Sequence, residues 1–237
     1  MKVFVVLAHP EEKSFNGALF EAAVEAFSGG GHEVKTSDLY RMGFNPVSDR
    51  RNFKSAKDPD YFKQQVEETY ASQNNSFAND VEAELQKLEW CDLLILQFPL
   101  WWFSLPAIMK GWVDKVFVAD RVYGRGKWYD EGAFKGKKAM LALTTGGGPV
   151  SYGEVGLHGY MDNILYPINH GILRFVGFDV LPSFISWSPA HISAEEREEE
   201  INRYRETLSY IGQLTPIKYP SLTEYDEHFR LKVPVAK

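Results

Sequence analysis

The chain has 237 residues, 44% of them hydrophobic and 24% charged, the balance of an ordinary soluble globular protein long enough to bury a good core. A formal net charge of −6 with no long basic run argues against a nucleic-acid partner, and the single cysteine, Cys91, excludes an internal disulfide. No Cys/His group has metal-ligand spacing, so no metal is expected. Aromatic residues, at 14%, are abundant, which favours a stacking ligand or a large interface.

Lys2 to Ala8 is a short apolar run that suits a strand covered on both faces. It is too short to span a membrane and lacks a cleavage-site pattern, so no membrane insertion is expected and a cytoplasmic location is the default. His9-Pro10 breaks the strand. Ser14 is placed to cap a helix that runs to Gly29-Gly30-Gly31. A strand, a loop and a helix N-terminus together form an anion-binding arrangement, with His9 and Asn16 as phosphate contacts. The spaced glycines of a nicotinamide-binding fingerprint are absent, and a turn holding a satisfied histidine is the structural alternative.

Glu33 to Leu39 reads as a second strand, and Tyr40 to Pro59 as a long loop. Tyr61 to Glu89 has helical character broken near Gln73–Ser76, with Asp80, Glu82 and Glu84 expected on a solvated face. Asp92 to Phe98 is a third, nearly unbroken apolar strand beginning beside a buried Cys91. Pro99 closes it and Pro106 opens a helix over Ala107 to Val118, with Ile108, Trp112, Val113 and Val116 inward. Between the prolines lie Leu100, Trp101, Trp102 and Phe103. One short loop cannot bury three consecutive large aromatics, so their faces offer stacking surface for a flat conjugated ligand, unless they plug a core or an interface.

Asp120 to Gly136 is a loop, and Lys137 to Leu143 a fourth strand ending in Thr144-Thr145-Gly146-Gly147-Gly148. Consecutive glycines there let the backbone approach a planar ring closely, although such a run is also common in free surface loops. Tyr152 and His158 follow. Met161 to Phe175 is a helix bent at Pro167, Phe178 to Ile185 a fifth strand, and Ser193 to Ile211 a charged helix whose Ser193 and Glu196 form a capping box. Five strands alternating with helices, and ligand loops after the first, third and fourth, predict an α/β doubly wound five-stranded parallel sheet of flavodoxin-like order 2-1-3-4-5. The expected organisation is one domain over 1–212 followed by a C-terminal tail over 213–237.

The segments Leu7-Ala8-His9, Ser14-Phe15-Asn16, Ser37-Asp38-Leu39-Tyr40, Gln97-Phe98-Pro99-Leu100, Trp102-Phe103, Lys110-Gly111-Trp112, Thr144-Thr145-Gly146-Gly147 and His158-Gly159 occur in the order and spacing of one known group. From Val3 to about Leu208 the chain resembles the NAD(P)H:quinone oxidoreductase (DT-diaphorase) family. The resemblance implies FAD, with FMN as the alternative seen among smaller bacterial relatives, and NAD(P)H (NADH or NADPH) as co-substrate. It implies a homodimer that reduces quinones by two-electron, ping-pong hydride transfer. It places His9, Phe15 and Asn16 at the pyrophosphate, and Leu100, Trp101, Trp102 and Phe103 at the isoalloxazine. Thr144, Thr145, Gly146 and Gly147 fall on the pyrimidine side, and Arg197 near the adenosine. Tyr152 and His158 match the pair that relays charge to the flavin. Trp102, Phe103, His158 and, across a dimer, Tyr123 and Phe175 match the substrate contacts.

Three positions depart from the family pattern: Trp101 replaces a glutamine, Lys63 replaces the adenosine-side glutamine, and Gly124-Arg125-Gly126 stands where aromatics are usual. The alternatives from other classes are a regulatory flavoprotein subunit of a potassium-efflux type transporter and a one-electron flavodoxin.

Overall fold

The computed structural model describes residues 1–232. Strands β1 (Lys2–Leu7), β2 (Glu33–Asp38), β3 (Leu93–Pro99), β4 (Lys138–Thr145), β5 (Asp179–Val180) and β6 (Phe184–Trp187) form one parallel sheet. Its order is β2-β1-β3-β4-β5, with β6 also on β4, as expected for a flavodoxin-like fold. Helices α1 (Phe15–Gly29), α2 (Gln64–Asn74), α3 (Asn79–Trp90), α4 (Ala107–Val116), α5 (Met161–Ile168) and α6 (Ala194–Ser209) connect them.

The apolar runs of β1, β3 and β4 are nearly unbroken, with Gln97 of β3 the polar exception, because both faces of the sheet are covered. Phe4, Val6, Leu94, Leu96, Phe98, Leu141 and Leu143 bury on the side of α3, α4 and α5. Val3, Val5, Leu93, Ile95, Met140 and Ala142 bury on the other side, with Leu19 and Phe27 of α1 and Tyr204 and Leu208 of α6. Cys91 lies inside, and burial pushes its thiol up to about 12, which leaves it unreactive.

Four expectations change in detail. The fifth strand is split: β5 pairs with Lys138–Ala139 and β6 with Ala142–Thr145, and Pro182 between them has no N–H for the ladder. The single helix expected from Met161 to Phe175 is α5 followed by a π-helical turn over Asn169–Arg174, downstream of Pro167. Glu84 is not solvated. It falls with Val81, Leu85 and Leu88 on the inner face of α3, where it accepts from Ser37 Oγ (2.7 Å) and Trp112 Nε1 (2.8 Å) and pairs with Lys87 (2.6 Å). In α4, Met109 is fully buried while Ile108 is only half-buried.

The break in the long helical stretch falls where the sequence placed it. Asn75 ends α2 in the left-handed conformation at φ 54°, a place that asparagine tolerates. Ser193 and Glu196 make the reciprocal capping box of α6. Beyond α6 the chain has short 3-10 turns and an isolated antiparallel bridge between Tyr225 and Leu231 as far as Lys232, and residues 233–237 lie outside the described residues. Ile217 N–H donates to Val180 O (2.8 Å), which lays this segment along the end of β5.

Candidate functional site

Three loops meet at the carboxyl ends of adjacent strands β1, β3 and β4, where an open α/β sheet binds its ligands. After β1, Ser14 caps α1 by accepting from Gly17 N–H (3.1 Å). Gly17 is required here, because a Cβ at this position would sit 2.0 Å from Glu12 O. Among the described residues the first-turn N–H groups of Phe15 and Asn16 donate to no protein acceptor, as expected of a helix start open to an anion. The Phe15 ring packs into the α1–α6 core, so its peptide is what faces outward. His9 is half-buried, with Nδ1 3.1 Å from both the N–H and the carbonyl of Glu11.

The side chain of Asn16 turns inward. It is 3% exposed, donates to Thr144 Oγ1 (2.8 Å) and accepts from Gln97 Nε2 (2.8 Å). One amide thereby ties α1 to the ends of β3 and β4. Its contribution to a ligand is through its peptide and its bracing, not through its amide. Gln97, fully buried, has no role assigned from sequence beyond its place in a resembling segment, although it is the single polar side chain within the apolar run Leu93–Phe98.

After β3, Leu100 N–H bonds Thr144 O (2.8 Å), and the backbone then takes left-handed conformations at Trp102 (φ 51°) and Phe103 (φ 57°). Two consecutive aromatics in that region carry strain of order 1–3 kcal/mol each, which is typical of functional loops. The turn splays the aromatics. Trp101 lies 6.3 Å from His9, Trp102 is 96% exposed, and Phe103, 46% exposed, lies 5.1 Å from His158.

After β4, the Thr145 hydroxyl donates to Gly147 O (2.8 Å), and Ser188 beyond β6 donates through Oγ to Gly146 O (3.0 Å). The Thr145 hydroxyl proton is therefore committed within the protein, and Thr144 Oγ1 accepts from Asn16. The N–H groups of Trp102, Phe103, Gly146 and Gly147 make no hydrogen bond among the described residues, and a Cβ at Gly146 would meet nothing within 4 Å. His158 N–H bonds Ser151 O (2.9 Å), which folds the loop so that His158 stands 5.0 Å from Tyr152, itself 5.1 Å from Trp187. The result is a continuous row of rings, Phe103, His158, Tyr152 and Trp187. Burial raises the Tyr152 hydroxyl above its ordinary value, keeping it a proton donor. Trp187 and Ser188 had no local sequence signal, because they enter the site only through the pairing of β6 with β4.

Two other residues implied by the resemblance stand apart from this row. Tyr123 and Phe175 (ring centroids 6.2 Å apart) belong with Tyr129, His170, Tyr166 and Tyr219 to a second aromatic group. Beside it opens a cavity of about 470 Å³, lined by Trp128, Tyr129, His170, Phe175, Tyr225 and Phe229 among others. Among the described residues none of these rings pairs with Phe103, His158 or Tyr152. Arg197 is turned to its own loop, donating to Ile192 O (2.7 Å).

The free peptide N–H groups of two loops, the anion-ready start of α1 and the exposed rings between them fit a planar, conjugated group carrying a phosphate, the chemistry of a flavin nucleotide. The family model for the flavodoxin-like fold matches residues 1–208. The chain is 41% identical over 230 residues to the rat protein NAD(P)H dehydrogenase [quinone] 1, covering 97% of this chain and 84% of the relative. It is 40% identical over 217 residues to the human ribosyldihydronicotinamide dehydrogenase [quinone], covering 91% and 94%. A Klebsiella pneumoniae structure described as a candidate quinone reductase superimposes with a TM-score of 0.94 at 36% identity, over 98% of this chain and 94% of that one. The chain belongs to the flavodoxin-like family that includes the NAD(P)H:quinone dehydrogenases.

Proposed function

We propose that this protein is a flavin-dependent NAD(P)H:quinone oxidoreductase that holds FAD and works as a homodimer in the cytoplasm, with residues 1–212 as its flavin-binding domain. The observation that carries the reading is the pairing of unbonded Trp102, Phe103, Gly146 and Gly147 N–H groups with the row Phe103, His158 and Tyr152. A bound flavin supplies two-electron hydride chemistry between a nicotinamide and a quinone. The chain supplies position and charge. The α1 N-terminus, with Phe15 and Asn16 N–H and His9, holds the phosphates, and the loop 100–103 and the Gly146–Gly147 peptides hold the ring system. The Tyr152 hydroxyl and the His158 imidazole donate to the edge where negative charge develops. Trp102 and Phe103 give nicotinamide and quinone a stacking surface.

Support for the dimer comes from the second aromatic group, which borders an open apolar cavity and leaves Trp128 and Phe229 exposed. A partner copy that presents this group to the Phe103 row completes a closed pocket, with Tyr123 and Phe175 on its wall. No helix among the described residues is long and apolar enough to cross a membrane.

The experiment is direct. The purified protein is expected to be yellow, to release FAD on heating, to oxidise NAD(P)H only when a quinone is added, and to scatter light as a dimer. Released FMN would overturn the FAD assignment, and an active monomer the shared pocket. Absence of quinone-dependent NAD(P)H oxidation by flavin-loaded protein would overturn the activity.

A further inference from the structure

Glu68 on α2 is a buried carboxylate that neither fold nor cofactor explains. It is 3% exposed, and no Lys, Arg or His pairs with it among the described residues. Its Oε1 accepts from Gln64 Nε2 (2.9 Å), and its Oε2 from Ala119 N–H (2.9 Å) and the Tyr123 hydroxyl (3.3 Å). Burial raises the carboxyl above its ordinary value, and burial together with Glu68 raises the Tyr123 hydroxyl. An uncompensated buried acid is expensive to keep, so its bonds define what it does.

The rest of the same helical stripe grips the same segment. Gln64 donates to Asp114 O (3.2 Å), Ser72 to Ala119 O (2.8 Å) and Gln73 to Asp120 Oδ2 (3.3 Å). Residues 64, 68 and 72 are four apart, one face of α2 laid along the chain from the end of α4 to Tyr123. Val113, Phe117, Ile172, Phe175 and the Tyr123 ring line a cavity of about 230 Å³ next to Glu68. Both carboxyl oxygens act as acceptors, Oε1 to Gln64 and Oε2 to Ala119 N–H, and the Tyr123 hydroxyl points its proton at the same Oε2.

We propose that Glu68 is a positioning residue that tethers the Tyr123 hydroxyl, so that Tyr123 presents a fixed apolar ring, not a hydrogen-bond donor, to the quinone pocket. The inference rests on the shared-pocket reading above. It makes the Tyr123–Phe175 wall select flat apolar quinones over ones needing a donor at that edge.

The test is a double-mutant cycle on the flavin-loaded protein, with Glu68→Ala, Tyr123→Phe and both together, and Glu68→Gln as the conservative variant. KM and kcat for a small apolar quinone are measured beside flavin occupancy and light scattering. Loss of the tether is expected to raise KM about 5-fold in either single variant, with kcat and occupancy little changed. The double variant should be no worse than Glu68→Ala, and Glu68→Gln, which keeps an acceptor, should recover most of the loss. A dimer in which Tyr123→Phe leaves KM unchanged, or in which the two changes multiply, would overturn the assignment of Glu68 alone. An active monomer would overturn the shared pocket and this inference with it. If Glu68→Ala fails to fold, Tyr123→Phe and Glu68→Gln still decide: an unchanged KM in Tyr123→Phe refutes the tether.

Discussion

Replacing Asn16 with alanine tests whether the flavin loops are braced from behind. The change removes two buried hydrogen bonds of 2.8 Å, to Thr144 Oγ1 and from Gln97 Nε2. Gln97 Oε1 already has no partner in the buried strand, so Gln97 would then have neither end of its amide satisfied. Each lost bond is worth about 1 kcal/mol, and stranding a buried donor adds a similar amount, so a total of about 3 kcal/mol is expected. For a chain of this size each kcal/mol moves Tm by about 2–4 °C, which predicts a fall of about 6–12 °C in the flavin-free protein. The same change unties α1 from the ends of β3 and β4, so flavin affinity should fall beyond any loss of stability. Calorimetry of the apo protein, with flavin titration followed by fluorescence at a temperature where both proteins are folded, reads the two effects separately. An apo Tm within about 2 °C of wild type would refute the bracing, and unchanged flavin affinity would confine it to the fold.

Three further outcomes follow from the geometry. His158→Gln and Tyr152→Phe should each slow flavin reduction by NAD(P)H about 10-fold at full flavin occupancy, with the double variant less than multiplicative because both donors serve one charge; stopped-flow absorbance checks this, and an unchanged rate removes the pair from the chemistry. Because burial raises the Glu68 carboxyl above its ordinary value near 4.5, the folded protein holds that proton longer than the unfolded chain. Stability from this group is therefore present at low pH and declines as pH rises from about 4.5 through the raised value, so Glu68→Gln should gain on wild type over that interval in Tm measurements, and parallel curves would refute it. Glu84→Ala should be at least as damaging as Asn16→Ala, by about 3 kcal/mol or more in denaturant unfolding, because it strands two buried donors, the Ser37 hydroxyl and Trp112 Nε1, and removes the ion-pair partner of Lys87; a loss below about 1 kcal/mol would show that the site relaxes or hydrates.

What the sequence by itself determined is what one element can encode. The runs over residues 3–7, 93–96 and 139–143 are apolar at every step because both faces of a parallel sheet are covered, and that pattern is legible without any partner. Ser14, Asn75 and the Ser193/Glu196 pair mark helix ends through bonds that span three or four residues. The positions of the three ligand loops follow from those elements.

Tertiary structure decided everything that depends on how distant elements are registered. Asn16 finds Thr144 and Gln97 across 128 and 81 residues, and a phosphate-loop residue becomes a brace. Trp187 joins the ring row only because β6 takes up the pairing with β4 after Pro182 interrupts the edge. Glu84, expected on a solvated helix face, is buried, and so is Glu68, because hydroxyl, indole and peptide donors elsewhere in the chain converge on them. Hydrophobic period and cap chemistry act over a few residues, whereas a polar side chain's partner is chosen by strand register and helix docking, and neither is written within its own segment.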